Sequence, residues 1–296
     1  MTGPAFVTGG SGFAGRHLLA LLPNAVAPPR AELDLLDAGA VRAAVREAAP
    51  SVVFHLAALA SVARSWEAPA ETLTKNLAMT ANLLEAVRLE ARGAAVVVVG
   101  SGEVYGPPER LPVDEDAPLR PQNPYAVSKA ACDLLAAQYA DAFGMRVVRI
   151  RAFNHAGPGQ SDEYVVGTLT RQVAEAEAAG RAEAVLRTGN PDSARDFTDV
   201  RDVARAYVAA ASLEGGAFNV ASGRAVTVRE AIELVRAAAR LPVRHEIEQA
   251  RVRAHDVPEV RGSAERLRAA TGWRPEIPLE RTVADALDDW RERIRR

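Results

Sequence analysis

The sequence predicts an α/β protein, a doubly wound parallel sheet with helices on both faces, followed by a smaller C-terminal lobe. Three observations carry this. Short apolar runs alternate with helical stretches through about residue 154. Those runs lack the polar alternation of a half-exposed strand, as strands buried on both faces must. The first run ends in glycines that open directly into a helix.

In order, AFVTGG (5–10) reads as strand and tight turn, and GRHLLALL as the helix that follows. NAVAP (24–28) is a short second strand, and AGAVRAAVREAA (38–49) a helix with Val41 and Val45 on one face. SVVFHLAA (51–58) is a strand running into a loop. A long helix covers 71–91, and AAVVVVGS (94–101) is a buried strand. The stretch 124–144 is a helix with Pro near its start and Gly after its end. MRVVRIRAFN (145–154) is another strand. The rhythm then changes. HAGPGQSDEY is a loop and VVGTLTRQVAEAEAAG a helix, RDFTDVRDVARAYVAAAS starts extended and becomes helical, and GAFNVAS (216–222) is a strand. VTVREAIELVRAAA is a helix capped by Thr227 with Glu230 three residues on. Prolines 242, 258, 275 and 278 punctuate the tail before a last helix from about 279. The expected division is 1–154 with 195–222 returning to it, against a second lobe of 155–194 and 223–296.

Bulk properties narrow the function classes. With 296 residues and 48% hydrophobic content, one large domain or two intimate lobes can bury a sizeable core. A net charge of -2 gives no pull toward nucleic acid or anionic membrane. The longest apolar runs fall far short of the ~20 residues of a membrane span. The first residues do not have the form of a signal peptide, so a cytoplasmic protein is expected. One cysteine, Cys132, forms no internal disulfide and no multi-cysteine metal site.

The turn TGGSGFAGRHL spaces Gly9, Gly12 and Gly15 as GxxGxxG, with Phe13 among them. Gly9 permits the tight turn, Gly12 lets backbone approach a pyrophosphate, and Gly15 lets helix pack on strand. The helix behind offers free N–H groups and a positive dipole end. A dinucleotide is the implied ligand. In NAVAPPRAELD no acid stands near Pro28 to hold an adenosine ribose, whereas Arg30 and Arg16 could meet a 2′-phosphate. This favours NADP(H), with NAD(H) possible and solvent exposure the bland alternative for both arginines.

Of the 36 basic residues only Lys75 and Lys129 are lysines. Lys129 follows Tyr125 by four, so they share one helix face. By chance such a pair arises in roughly 3% of such compositions, so the pair alone is only suggestive. Ser101 strengthens it, standing at the carboxyl end of a strand where ligands bind in open sheets. A phenol of ordinary pKa about 10 needs a nearby cation to trade protons near neutrality. A slender ammonium can supply that and hold ribose hydroxyls; a guanidinium is bulkier.

TGGSGFAGRHL, HLAA, SGEVYG, PYAVSK and RAFNHAGPGQ, in that order, resemble an extended short-chain dehydrogenase/reductase of Rossmann type acting on nucleotide sugars. The resemblance spans essentially the whole chain. It implies Tyr125 as acid/base, Lys129 as the group that lowers its pKa and binds the nicotinamide ribose, and Ser101 as the residue orienting the substrate carbonyl. It implies Asp34 and Leu35 at the adenine, and Ala57 and Ala58 beside the cofactor. His55 reads as a packed strand-end residue. Asn76 matches a family asparagine, with helix packing as its alternative. Asn154, Arg195 and Arg253 match groups on the substrate diphosphate and phosphates, and Asp256 one near the nucleotide ribose. FNHAGPGQ, ARDFTDVRDVARAY and DVPEVRGSAERLRAATGWRPEIPLE, in a chain of 296 residues, look most like the GDP-6-deoxy-4-keto-mannose reductases, a resemblance that implies formation of GDP-rhamnose. Glu103 sits where sugar 4,6-dehydratases carry a base, although the acid preceding it in some of them is Gly102 here. A 4-epimerase shares every core residue. A non-catalytic dinucleotide sensor is the remote alternative. The resemblance also implies a homodimer through helices 71–91 and 124–144, with Leu83, Leu84 and Val87 either at that interface or wholly intramolecular.

Overall fold

In the computed structural model, which describes residues 3–251 and 257–295, the first half is built as the sequence predicts. Strand β1 is Ala5–Thr8 and helix α1 Phe13–Leu21, followed by α2 Ala38–Ala48, β2 Val52–His55, a short α3 Val62–Glu67, α4 Pro69–Glu90, β3 Ala95–Ser101, α5 Pro124–Phe143 and β4 Val147–Ala152. The expected strand at 24–28 is reduced to one parallel bridge, Val26 with Phe6. Val26 exchanges 2.8 Å hydrogen bonds with Ala5 and Val7. Pro28 and Pro29 follow and have no N–H to extend the ladder.

The second half continues with β5 Asn154–Ala156, α6 Val165–Ala178, β6 Ala184–Thr188, β7 Ala194–Asp199, α7 Val200–Ala210, β8 Gly216–Val220, β9 Ala225–Thr227, α8 Val228–Ala238, β10 Val243–Ile247, β11 Glu259–Val260, α9 Glu265–Thr271 and α10 Leu279–Arg295. A five-stranded parallel sheet runs β1-β2-β3-β4-β8. Thus β8 returns to the first sheet from late in the chain, and α7 packs with it on the α1 face. Residues 194–199 do not return. As β7 they pair with β5, β11 and β9 in a separate small sheet, while β6 and β10 form a two-stranded pair. The stretch expected to be loop at 155–164 therefore opens with part of β5.

Two apolar layers sandwich the main sheet. Leu18, Val203 and Tyr207 lie on one face, and Val41, Leu84 and Val87 on the other. Leu83, Leu84 and Val87 are all buried in this intramolecular layer, so they offer no face to a second copy. A third cluster joins α6, α8 and α10 around β6 and β7. Local signals fix the ends of key helices. Asn123 accepts from the Ala126 amide before Pro124 starts α5, and Gly144 ends it at φ +63°. Thr227 and Glu230 form the expected capping box. Among the described residues no helix is long and apolar enough to cross a membrane.

Candidate active site

The chain leaves β1 toward Val26 on one side of the sheet and returns at β2 on the other. A crevice must open at that switch, outside the carboxyl ends of the strands. It holds about 1170 Å³, more than the ~300–1,000 Å³ of a typical single-ligand pocket.

The glycine turn forms one wall. Gly9 has φ +74°, and a Cβ there would lie 2.6 Å from the Ala57 amide nitrogen. A Cβ on Gly15 would lie 2.2 Å from the Gly9 carbonyl oxygen. Gly12 caps α1 without a side chain, and the first turn holds no acid. The amides and the positive dipole end therefore remain available to an anion, so this cradle fits a dinucleotide pyrophosphate. Phe13 stacks on His155, centroids 5.6 Å apart and planes 10° apart, tying the turn to β5. Ala57, Ala58, Asp34, Leu35 and Arg30 line the same crevice. The Asp34 carboxylate accepts from the Leu36 amide at 3.0 Å. The two arginines separate: Arg30 faces the crevice, whereas Arg16 donates to the Gly159 carbonyl at 3.3 Å and does not line it.

At the far end Ser101, Glu103, Tyr125 and Lys129 line the same space. Ser101 is the last residue of β3, and its hydroxyl accepts from the Glu103 amide at 3.2 Å. Burial pushes the Tyr125 phenol above its ordinary pKa, while a hydrogen bond with Ser101 works the other way. Lys129 is 7% exposed and donates to the Val99 carbonyl at 2.7 Å. Burial lowers its pKa. The sequence implies that Lys129 depresses the phenol; burial acts on it in the opposite direction. Glu103 is held at its carboxylate by the Asn123 amide at 3.2 Å.

Second-rank residues fall into place around them. His55 is clamped between the Thr8 and Thr80 hydroxyls at 2.8 and 3.1 Å, and burial lowers its pKa to about 3, so it is a neutral packed residue. Asn76 spans loop and helix: it accepts from the Leu59 amide at 2.7 Å and donates to the Leu59 carbonyl and the Ser128 hydroxyl. It therefore fixes the loop after β2 against α5. Cys132 is buried beside Thr80, its thiol pushed up by desolvation. Lys75, for which the sequence suggests no role, reaches the crevice rim and pairs with Glu71. Asn154 and Arg195 enter from the second lobe, and Arg195 donates to the Ala194 and Val257 carbonyls at 2.9 and 2.8 Å. Arg253 and Asp256 lie outside the described residues.

Two tyrosines were not singled out by the sequence. Tyr164 lines the crevice ahead of α6, and Tyr207 reaches it from α7. Tyr207 sits in an apolar helical stripe with Val200 and Val203. Such a stripe reads as core, so no sequence signal distinguishes its hydroxyl.

The parallel sheet with its switch-point glycine turn, together with Ser101, Tyr125 and Lys129 in one crevice, defines an extended short-chain dehydrogenase/reductase. Comparison with known proteins places it further. The family model described as GDP-mannose 4,6 dehydratase matches residues 30–286. GDP-6-deoxy-D-mannose reductase of Pseudomonas aeruginosa is 39% identical over 304 aligned positions, covering 100% of this chain and 99% of that protein. UDP-glucose 4-epimerase of Mycolicibacterium smegmatis is 32% identical, covering 88% and 82%. The solved structure of RMD from Pseudomonas aeruginosa complexed with NADPH matches with a TM-score of 0.88 and 37% identity, over 99% of this chain and 100% of that one. The chain belongs to the GDP-mannose 4,6 dehydratase family.

Proposed function

We propose that the protein reduces the C4 ketone of a nucleotide-linked 4-keto-6-deoxyhexose, with GDP-4-keto-6-deoxymannose as substrate and GDP-rhamnose as product. The observation that carries this is the half-buried Tyr125 hydroxyl hydrogen-bonded with Ser101, with Lys129 in the same crevice. A reduction needs a proton donor at the alkoxide, and the Tyr125 phenol beside Ser101 meets that need. The full-length likeness to a reductase of this substrate class supports the reading.

When bound, NADPH supplies the hydride. Ser101 hydrogen-bonds the C4 oxygen and steadies the negative charge that grows there. The Tyr125 hydroxyl gives its proton to that oxygen. The phenolate left behind is favoured by the Lys129 ammonium one helical turn away, which also reaches the ribose hydroxyls. Arg30 receives the 2′-phosphate that distinguishes NADPH from NADH, and the neighbour solved with NADPH supports that preference. Asn154 and Arg195 engage the substrate diphosphate, joined by Arg253 and Asp256. Glu103, held by Asn123, binds the sugar and is not needed as a base, because reduction removes no C5 proton. Residues 154–199 and 223–296 act as the nucleotide-sugar lobe on a dinucleotide domain of 1–153 with 200–222.

We assign the protein to the cytoplasm, since its single buried thiol suits a reducing compartment. We also propose a homodimer through the outer faces of α4 and α5, where Leu89, Val127 and Leu134 are exposed apolar residues. The test of the activity is direct. Purified protein with GDP-4-keto-6-deoxymannose should oxidise NADPH, and Tyr125→Phe should lower kcat by about 10²–10⁴ while binding NADPH normally. A Tyr125→Phe variant of undiminished turnover would remove the proposed proton donor.

A further inference from the structure

Tyr207 is fully buried, yet it lines the crevice. It belongs to the apolar layer that holds Val7, Ala152 and Val203, on the face of the main sheet covered by α1 and α7. Its hydroxyl has no hydrogen-bond partner among the described residues. That is costly, because a buried hydroxyl gives up its bonds to water and receives nothing in return. Phenylalanine would fill the same space without the penalty. A hydroxyl kept at the floor of a ligand crevice therefore points to a polar atom that arrives with the ligand.

The position selects the ligand atom. Tyr125 descends from α5 on one face of the sheet, and Tyr207 rises from α7 on the other. The two phenols are near enough to oppose each other's ionisation. A dinucleotide lying along the strand ends, with its pyrophosphate on the Gly12 turn, would carry its nicotinamide toward Tyr125 and over this floor. The nucleotide sugar comes from the second lobe, where Asn154 and Arg195 stand, and meets the opposite side of the ring. The nicotinamide carboxamide offers both a carbonyl acceptor and an amide donor, and a phenol can serve either.

We propose that the Tyr207 hydroxyl hydrogen-bonds the nicotinamide carboxamide and so fixes the rotation of the ring beneath the substrate ketone. Tyr207 is thus a cofactor-binding and orienting residue, supplied by a helix of the fold rather than by the glycine turn or the Tyr125 helix. The proposal rests on the reading of the crevice as a dinucleotide site.

The experiment is Tyr207→Phe, which keeps the ring and its packing. Three quantities are measured on wild type and variant: calorimetric affinity for NADPH, calorimetric affinity for 2′-phospho-ADP-ribose, and the ligand-free melting temperature. The second ligand keeps the phosphates and adenosine but lacks the nicotinamide. NADPH affinity should fall by about two- to twelve-fold, the worth of one net hydrogen bond. Affinity for 2′-phospho-ADP-ribose should stay within about twofold, and the melting temperature should hold or rise. Unchanged NADPH affinity would overturn the contact. Equal weakening of both ligands would move the effect to the phosphate end and overturn it too. A lower ligand-free melting temperature would mean that the hydroxyl already has a partner inside the protein. Failure of the wild type to bind either ligand would strike the dinucleotide reading itself, a different outcome from any of these.

Discussion

Gly15→Ala separates the two duties of the glycine turn. The new Cβ would lie 2.2 Å from the Gly9 carbonyl oxygen and 2.8 Å from Gly10 Cα. An ordinary carbon–oxygen contact is about 3.3 Å, so α1 or the turn must retreat by roughly 1 Å. Such overpacking costs about 1–3 kcal/mol. Alanine returns about 1 kcal/mol in helix propensity, so the net loss of stability is about 0–2 kcal/mol. Binding suffers more. A turn displaced by roughly that distance no longer presents its amides to a pyrophosphate, and each charge-assisted hydrogen bond lost costs about 1.5–3 kcal/mol. NADPH affinity should fall about 10- to 150-fold by titration calorimetry, with the melting temperature down by only a few degrees. Gly12→Ala is the control. Its Cβ meets only the Gly9 carbonyl oxygen, at 3.1 Å, and its φ of -71° suits any residue. That variant should melt with the wild type yet bind NADPH more weakly, because its methyl group occupies the path of the pyrophosphate. Wild-type NADPH affinity in Gly15→Ala would refute the reasoning, as would a Gly12→Ala variant that melts well below the wild type.

Arg30→Ala should raise the NADPH Kd by about tenfold or more and leave NADH within about twofold, since only NADPH carries the 2′-phosphate that a guanidinium pairs with; competitive titration with both cofactors checks it. His55, held near pKa 3 by burial, stays neutral in the fold while the unfolded chain protonates near 6.5. Its depressed pKa leaves stability intact above 6.5 and removes it as pH falls toward 3, by about 2 kcal/mol at pH 5. Urea unfolding at pH 7.5 and 5 should show this difference for the wild type, and a smaller one for His55→Gln. Asp133→Asn should cost about 3–5 kcal/mol in urea unfolding. It strands the buried Arg151 guanidinium, which Asp133 holds through bonds of 2.9 and 3.1 Å.

The first half of the fold was legible because its strands are buried on both faces and its helices carry caps that the sequence displays. Val96 to Val98 and the Asn123–Pro124 start of α5 are examples. The second half was less so. β7 begins with the same apolar and polar mixture as a strand of the main sheet, and only its pairing with β5 and β9 assigns it elsewhere. The proposed trio of Ser101, Tyr125 and Lys129 was visible because spacing and strand-end position are sequence properties. The state of that trio was not, since the upward shift of Tyr125 and the Val99 contact of Lys129 depend on burial. Arg16 and Arg30 looked equivalent, and the path of the chain to Gly159 separates them. Tyr207 was hidden because a core aromatic and a ligand-binding phenol occupy the same helical stripe until the crevice is seen to reach one of them.

The central claim is net reduction at C4, and stoichiometry tests it most directly. Purified protein is given a limiting amount of GDP-4-keto-6-deoxymannose with excess NADPH, and both NADPH loss and sugar product are followed to completion. One NADPH consumed for each sugar reduced is the expected result. C4 epimers of a nucleotide hexose interconverting with no net loss of NADPH, and no reduction of the ketone, would contradict it.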